Sequence, residues 1–310
     1  DVSRWEKVSK RLNILNKYYP LKPDKTCNMI DFSKKVDLHM KDDERLHILL
    51  RDSFIDNGSV FFGGYSTHLY SLHMPDNKRQ LVNKIPDFDI ISDDPDKCAL
   101  VTKERLEKEH FKHVKLIKHD AIGEVIPRHI EIKVGKHSMA YIYKPIACHA
   151  YNEVEVDGKH VKVATIETIL AFYLSFLYAN MQHYDKDRLL CIATFLFQLE
   201  QHNRLEQRGI LKRFSIDCYG KQPTLEDIRS EKALKYKELR DKQTSKEYQM
   251  WFLKYVPRDI ENAKINTNQR TVAKTRKRRK SIATSTKKTE PQNKVKPENP
   301  LVALLQKRAF

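Results

Sequence analysis

The chain has 310 residues and a net charge of +17, from 58 Lys and Arg against 41 Asp and Glu. Its length predicts two domains with a sizeable core, and its longest apolar run, residues 169–179, is about half as long as a membrane span requires, which argues against a membrane protein. Five scattered cysteines, none in a CxxC pair, predict reduced thiols in a cytosol-like compartment, and neither a disulfide framework nor a zinc site.

Two amphipathic helices are predicted before the first strand. Apolar residues recur at three- and four-residue spacings over residues 4–19 and again from about residue 43 to 56, where an Asn-Gly pair is a stop signal. The segment "SVFF" then predicts a short buried strand that ends at Gly63-Gly64. The next segment, "STHLYSLHM", predicts a helix with Ser66 or Thr67 as its N-cap.

The middle of the chain reads mainly as strands. "FDII" predicts a strand at 88–91, and residues 103–110 predict a charged helix. Three strands follow, "HVKLIKH", "RHIEIKV" and "SMAYIY", and a further strand pair surrounds Asp157-Gly158. From residue 165 helical patterns dominate, and the predicted helices cover residues 165–181, 188–203, 224–242 and 244–255.

Composition divides the chain into four predicted parts. Residues 1–44 form an N-terminal helical segment, 45–164 a mixed core, 165–257 a helical domain, and 258–310 a basic, largely disordered tail. The tail holds fifteen Lys and Arg against four Asp and Glu, so it carries most of the net positive charge. A polyanionic partner, nucleic acid before membrane, is the natural expectation.

Two adjacent glycines end the first predicted strand, although the whole chain has only eight. Gly63-Gly64 at a helix start lets backbone N–H groups approach phosphate oxygens, and Ser66 or Thr67 can add a hydroxyl donor. Taken alone, the pair would indicate no more than a turn.

Three acidic residues give the glycine pair a chemical context. Asp87 and Asp89, two apart at one strand, project to the same face, where carboxylates can hold hard cations such as Mg²⁺. Glu131 lies in "HIEIKV" and points away from the apolar side of that strand. Three carboxylates converging at one sheet edge are the arrangement for two-metal nucleotidyl transfer.

The order and types of these pieces resemble the DNA polymerase β-like nucleotidyltransferase superfamily. Within it, the chain is similar to the poly(A) polymerase catalytic subunits of large DNA viruses, the poxvirus-like family. The resemblance covers about residues 45–205 and implies an α+β fold, with a mixed-sheet nucleotidyltransferase core followed by a helical domain. The segments that carry it are "FFGGYSTHLY", "PDFDIISDDP", "HIEIKVG", "VATIETILAFYLSFLY" and "KDRLLCIATFL".

The resemblance implies template-independent addition of AMP from ATP to RNA 3′ ends, with Mg²⁺ or Mn²⁺. The catalytic residues would be Asp87 and Asp89, as metal ligands, and Glu131, as ligand of the metal that activates the primer. The nucleotide-binding residues it implies are Gly63, Gly64, Ser66, Thr67, Lys186 and Arg188.

The implied partners are an RNA 3′ end and ATP, with no membrane, and a homodimer or a processivity subunit besides. The implied location is the host cytoplasm, in a viral factory, or the virion. A basic run in the tail is expected to bind RNA phosphate, with nuclear import as an alternative. The run consists of Lys274, Arg276, Lys277, Arg278, Arg279 and Lys280 around Thr275.

Three departures from the family pattern stand out. Tyr65 separates the glycines from the first hydroxyl, the longer interval before Asp87 predicts an inserted loop near "HMPDNKRQ", and the third carboxylate is Glu131 rather than an aspartate. Two alternatives stay open. One is another nucleotidyltransferase of the superfamily, such as a second-messenger synthase or a terminal transferase using a different nucleotide; the other is a non-catalytic RNA-binding protein that keeps the fold.

Overall fold

The computed structural model describes residues 2–22, 27, 40–74, 87–181, 184–213 and 215–254. These residues belong to one compact unit. The predicted basic tail, with its run at 274–280, and most of the predicted inserted loop lie outside them. The helices and strands are, in chain order, α1 (Val2–Tyr18), α2 (Met40–Asp56), β1 (Val60–Phe61), α3 (Gly64–Ser71), β2 (Phe88–Ile91), α4 (Pro95–Lys108), β3 (Val114–His119), β4 (His129–Val134), β5 (His137–Tyr143), β6 (His149–Val156), β7 (Lys159–Ala164), α5 (Ile166–Ala179), α6 (Lys186–His202), β8 (Cys218–Tyr219), α7 (Leu225–Leu239) and α8 (Lys246–Trp251).

Eight strands form one mixed sheet in the order β3-β4-β5-β2-β1-β7-β6-β8. β1 pairs parallel with β7 and β2 pairs parallel with β5, whereas the other neighbours are antiparallel. The fold is therefore α+β, as predicted. β8 comes from the segment predicted as a helical domain, and the four-part division of the chain stays a prediction. Among the described residues, no helix is both long and apolar enough to cross a bilayer.

The two faces of the sheet differ in what covers them. On one face, alternate residues of β3, β4 and β5 are apolar and pack under α4, which contacts all three strands. The opposite face carries one register line across four strands, in which Asp89 pairs with Tyr141, Tyr141 with Glu131, and Glu131 with Ile117. Because paired residues project to the same face, the sheet places Asp89 and Glu131 on one side, two strands apart.

Two predicted helix starts were wrong. α3 begins at Gly64 with Gly63 as its N-cap, so Ser66 and Thr67 lie inside the first turn. α4 begins at Pro95, eight residues before the predicted start. The Asp94 carboxylate accepts the Lys97 N–H at 3.0 Å, and proline at the first helical position has its φ already set for a helix.

The expectation of reduced thiols was also wrong for four of the five cysteines. Disulfides join Cys27 to Cys191 and Cys148 to Cys218, with Cα atoms 5.4 and 5.2 Å apart, and Cys98 is free and buried. The partners are 164 and 70 residues apart in sequence. Only the tertiary fold brings them together: β8 pairs with β6, which places Cys218 beside Ala150, two residues from Cys148.

Two carboxyl groups, buried Glu200 and half-buried Glu167, join α5 and α6. The Arg213 guanidinium lies 2.8 Å from Glu167 and 2.9 Å from Glu200, and the Glu200 side chain is buried. Burial, followed by the neighbouring Glu167 carboxylate, raises the pKa of Glu200 to about 8, although the charge of Arg213 opposes this rise. Glu200 therefore holds a proton at neutral pH that the unfolded chain would release.

Replacing Glu200 by glutamine should make stability less dependent on pH. Because the pKa of Glu200 is higher in the folded than in the unfolded protein, wild-type stability falls as pH rises from about 4.5 to about 8. Glutamine does not titrate, so we expect the melting temperature of Glu200→Gln to rise relative to that of wild type as pH increases from about 4.5 to about 8. Thermal melts at several pH values measure the gap, with exposed Glu155→Gln as the control. A gap that does not change with pH would contradict the assignment.

Candidate active site

The turn after β1 is held directly against Asp89. The backbone N–H groups of Phe62 and Gly63 donate to the Asp89 carbonyl oxygen, at 2.9 and 3.2 Å. A Cβ on Gly63 would lie 2.5 Å from Asp89 Cβ, 2.7 Å from its Cγ and closer still to Oδ2. Gly63 has φ of −85°, so this position requires glycine for space and not for backbone conformation.

The first turn of α3 assigns different environments to its three polar side chains. The Tyr65 ring packs in the core, 5.1 Å from Phe61 and 5.6 Å from Phe88 between ring centroids, so it points away from the hydroxyls that follow. The Thr67 hydroxyl is 3.1 Å from both the Gly63 carbonyl oxygen and the Tyr173 hydroxyl. Ser66 is fully buried and its Oγ has no hydrogen-bond partner among the described residues. Of the two predicted phosphate ligands, Ser66 is the one whose hydroxyl has no hydrogen-bond partner among the described residues.

Tyrosines surround the aspartate pair. Tyr184 donates a hydrogen bond of 2.8 Å to Asp89 Oδ1, and the Tyr143 hydroxyl lies 3.1 Å from that of Tyr184. Burial, followed by the negative charge of Asp89, raises the pKa of both tyrosines well above its usual range. They therefore stay protonated and act as donors, which fixes one oxygen of the buried Asp89 carboxylate.

Removing the Tyr184 hydroxyl should loosen that carboxylate. In Tyr184→Phe, Asp89 Oδ1 loses its tyrosine donor, so we expect the Mg²⁺ concentration for half-maximal activity to rise by about tenfold or more. Tyr143→Phe removes a hydroxyl that contacts Tyr184 and not Asp89, so it should have a smaller effect on the Mg²⁺ dependence. Activity titrated against Mg²⁺ measures both variants. Equal and unchanged Mg²⁺ dependence would show that Tyr184 does not position Asp89.

Glu131 is engaged by its neighbours on the sheet. Its carboxylate accepts a hydrogen bond from Ser138 and lies 3.0 Å from His119 Nε2 and 3.7 Å from Lys133 Nζ. Burial alone would raise the pKa of Glu131, but Ser138, His119 and Lys133 outweigh it and lower that pKa. The group is therefore an ionised carboxylate at neutral pH, with a complete set of protein donors.

The predicted convergence of three carboxylates is only partly seen. The described residues contain no cluster of three or more His, Cys, Asp or Glu side chains able to hold a metal, and the strand spacing puts the Asp89 and Glu131 backbones roughly 10 Å apart. Tyr141 lies between them, and burial with the charges of Glu131, Asp89 and Asp87 raises its pKa to about 12. Asp87 and Asp89 stay the predicted ligands of Mg²⁺, a cation that proteins often hold with one or two carboxylates plus substrate phosphates.

Two cationic residues were predicted at the start of α6. Asp185 caps this helix through the Arg188 N–H at 2.8 Å, and Lys186 is exposed at the first helical position. The charge of Arg188 acts on Tyr173, the tyrosine that contacts Thr67. Arg188 therefore belongs to the surroundings of α3, whereas Lys186 is exposed at the start of α6.

Sequence reasoning missed the tyrosines. A signal existed for two of them, because Tyr141 and Tyr143 alternate in "YIY" and so share one face of the strand that pairs with β2. Nothing local marks Tyr184, which lies in the connection between α5 and α6.

The fold, with this site at the end of β1 and the start of β2, resembles that of a solved viral enzyme. No protein-family model and no curated protein matches the sequence. The crystal structure of the Megavirus polyadenylate synthase matches with a TM-score of 0.51 and 14% sequence identity, over 76% of this chain and 49% of that one. The chain thus spans about half the length of that protein. The similarity shows that the chain has a fold like that of this polyadenylate synthase.

Proposed function

We propose that the protein is a nucleotidyltransferase that adds AMP from ATP to RNA 3′ ends. The observation that carries the proposal is the contact between Gly63 and Asp89, which holds a glycine-rich helix start against a buried carboxylate. Such a helix start offers backbone N–H groups to phosphate, and the carboxylate offers oxygen to the cation that accompanies phosphate.

The aspartate pair would hold the divalent cation, Mg²⁺ or Mn²⁺. When bound, the cation supplies Lewis-acid stabilisation of charge on the transferring phosphoryl group. Asp87 and Asp89 are the residues that would hold it, and Tyr184 keeps Asp89 in orientation.

The residues around α3 would position the triphosphate. The first backbone N–H groups of α3, from Gly64 onward, would donate to the phosphate oxygens at the start of this helix. The Ser66 hydroxyl, which has no partner among the described residues, would add one more donor there. Arg188 offers positive charge from α6. Glu131 would face the RNA 3′ end as an ionised carboxylate. The terminal hydroxyl oxygen would attack the α-phosphate, its proton would pass to solvent water, and pyrophosphate would leave.

The same proposal has four further parts. They are ATP as the nucleotide, RNA as the partner, self-association or a processivity subunit, and a location in the host cytoplasm or the virion. They rest on the family resemblance and on the viral enzyme of similar fold. The basic tail outside the described residues would add RNA affinity.

Incubation of the protein with a labelled RNA oligonucleotide, each nucleoside triphosphate separately and Mg²⁺ or Mn²⁺ tests the proposal. We expect extension with ATP and weak or no extension with the other three. Extension with a different nucleotide, or a cyclic or short product without RNA, would indicate another member of the superfamily. RNA binding without any product would indicate a non-catalytic protein.

A further inference from the structure

An exposed strip lies beside Glu131 on the face of the sheet that carries Asp89. It consists of Lys115, Ile117 and His119 on β3 and Lys133 on β4. The register pairs Lys115 with Lys133 and Ile117 with Glu131. Alternation along β3 puts Lys115, Ile117 and His119 on this face and Lys118 on the opposite one, where Lys118 Nζ pairs with Asp96 of α4 at 2.6 Å.

The strip is open to solvent although it is part of a sheet. Ile117 is 37% exposed and the His119 side chain is 36% exposed. β3 is the last strand at this edge of the sheet, so no further strand of the described chain covers it. At about 3.4 Å per residue, Lys115 to His119 extends roughly 14 Å.

The charges of the strip are positive. Lys115 is exposed and forms no ion pair with any described acidic residue, and Lys133 reaches only the Glu131 carboxylate, at 3.7 Å. The His119 ring stacks on His129 with centroids 4.7 Å apart, which leaves a flat edge beside an exposed aliphatic side chain. Cations that alternate with apolar and planar groups match a single nucleic-acid strand, whose phosphates and bases alternate in the same way.

We propose that this strip binds the 3′-terminal nucleotides of the RNA substrate and directs the terminal hydroxyl toward Glu131. Lys115 and Lys133 contact phosphates, while Ile117 and His119 contact bases. The inference rests on the proposed function, since it takes Glu131 as the residue that faces the acceptor end. It assigns to β3 a role in binding that a solubilising edge strand would not have.

A pair of variants on one strand tests the strip. Lys115→Glu and Lys118→Glu change the net charge equally on opposite faces of the sheet, and Lys118→Glu also breaks the ion pair between Lys118 and Asp96. We expect Lys115→Glu to weaken binding of a 5′-labelled RNA oligonucleotide by about five- to tenfold, and to lower the slope of log Kd against log salt by about 0.7 for each RNA phosphate that is no longer neutralised. Lys118→Glu should leave both unchanged. Thermal melts establish that both variants fold.

Crosslinking supplies a readout that does not need activity. RNA with a photoreactive base at its 3′ end should crosslink to the peptide that contains β3, and RNA with the same base at its 5′ end should not. Two results would contradict the proposed role of the strip. One is an equal RNA affinity of Lys115→Glu and Lys118→Glu, and the other is crosslinking of the RNA 3′ end only to peptides that do not contain β3. If the wild-type protein crosslinks through β3 but extends no RNA with any nucleotide, the proposed function fails while the RNA-binding strip stands.

Discussion

Asp89→Asn is expected to lower the rate of nucleotide addition by about 10²- to 10³-fold, because one preorganised electrostatic group at a reacting centre is worth about this much. The amide keeps the shape of the side chain and removes the charge that would hold the cation. Asp89 is 3% exposed, so the same change removes a buried negative charge, and the melting temperature should stay the same or rise. Single-turnover extension assays and thermal melts measure the two effects.

A matched control lies on the same stretch of chain. Asp93→Asn makes the same chemical change on an exposed residue beyond the other end of β2 and should leave the rate unchanged. Wild-type protein should also gain thermal stability from ATP with Mg²⁺, because a ligand that binds only the folded state stabilises it, whereas Asp89→Asn should gain little. If Asp89→Asn lowers the melting temperature but not the rate of nucleotide addition, Asp89 would have a structural role and no catalytic role.

Gly63→Ala is expected to cost both stability and activity through one added methyl group. The new Cβ would meet the Asp89 side chain, at 2.5 Å from Cβ and 2.7 Å from Cγ, so either the β1 turn or the carboxylate must move. Overpacking of this kind costs about 1–3 kcal/mol, and a displacement of about 1 Å in a catalytic group lowers the rate roughly 100-fold. Denaturant unfolding and extension kinetics measure the two losses.

Gly158→Ala separates the two effects. Gly158 has φ of +72° in the β6–β7 turn and a Cβ there would meet nothing within 4 Å, so alanine strains only the backbone. We expect a loss of stability of about 1–2 kcal/mol, the cost of a left-handed backbone conformation for a residue with a Cβ, with unchanged kinetics. If both glycine variants lose the same share of activity, the contact between Gly63 and Asp89 would have no special part in catalysis.

The local pattern of the sequence predicted most of the fold. Strand β2 was predicted at its observed bounds, and β3 to β7 were found from their alternation and turn residues. α1 and α2 were found within a few residues because a 3.6-residue period depends only on neighbouring positions. The start of α4 was missed, although an N-cap aspartate followed by proline, here Asp94 and Pro95, is a local signal for a helix start.

The residues of the candidate site stay a prediction from the sequence, and their arrangement was seen only in the structure. The sequence alone placed the Gly-Gly pair, Asp87, Asp89 and Glu131 in the order of a nucleotidyltransferase, since each is marked by a local strand or turn. Only the tertiary structure decided that Gly63 touches Asp89, that Tyr184 orients it and that β5 separates β2 from β4. Strand order, side-chain contacts and disulfides join residues far apart in the chain, and no local period encodes which of these distant segments become neighbours.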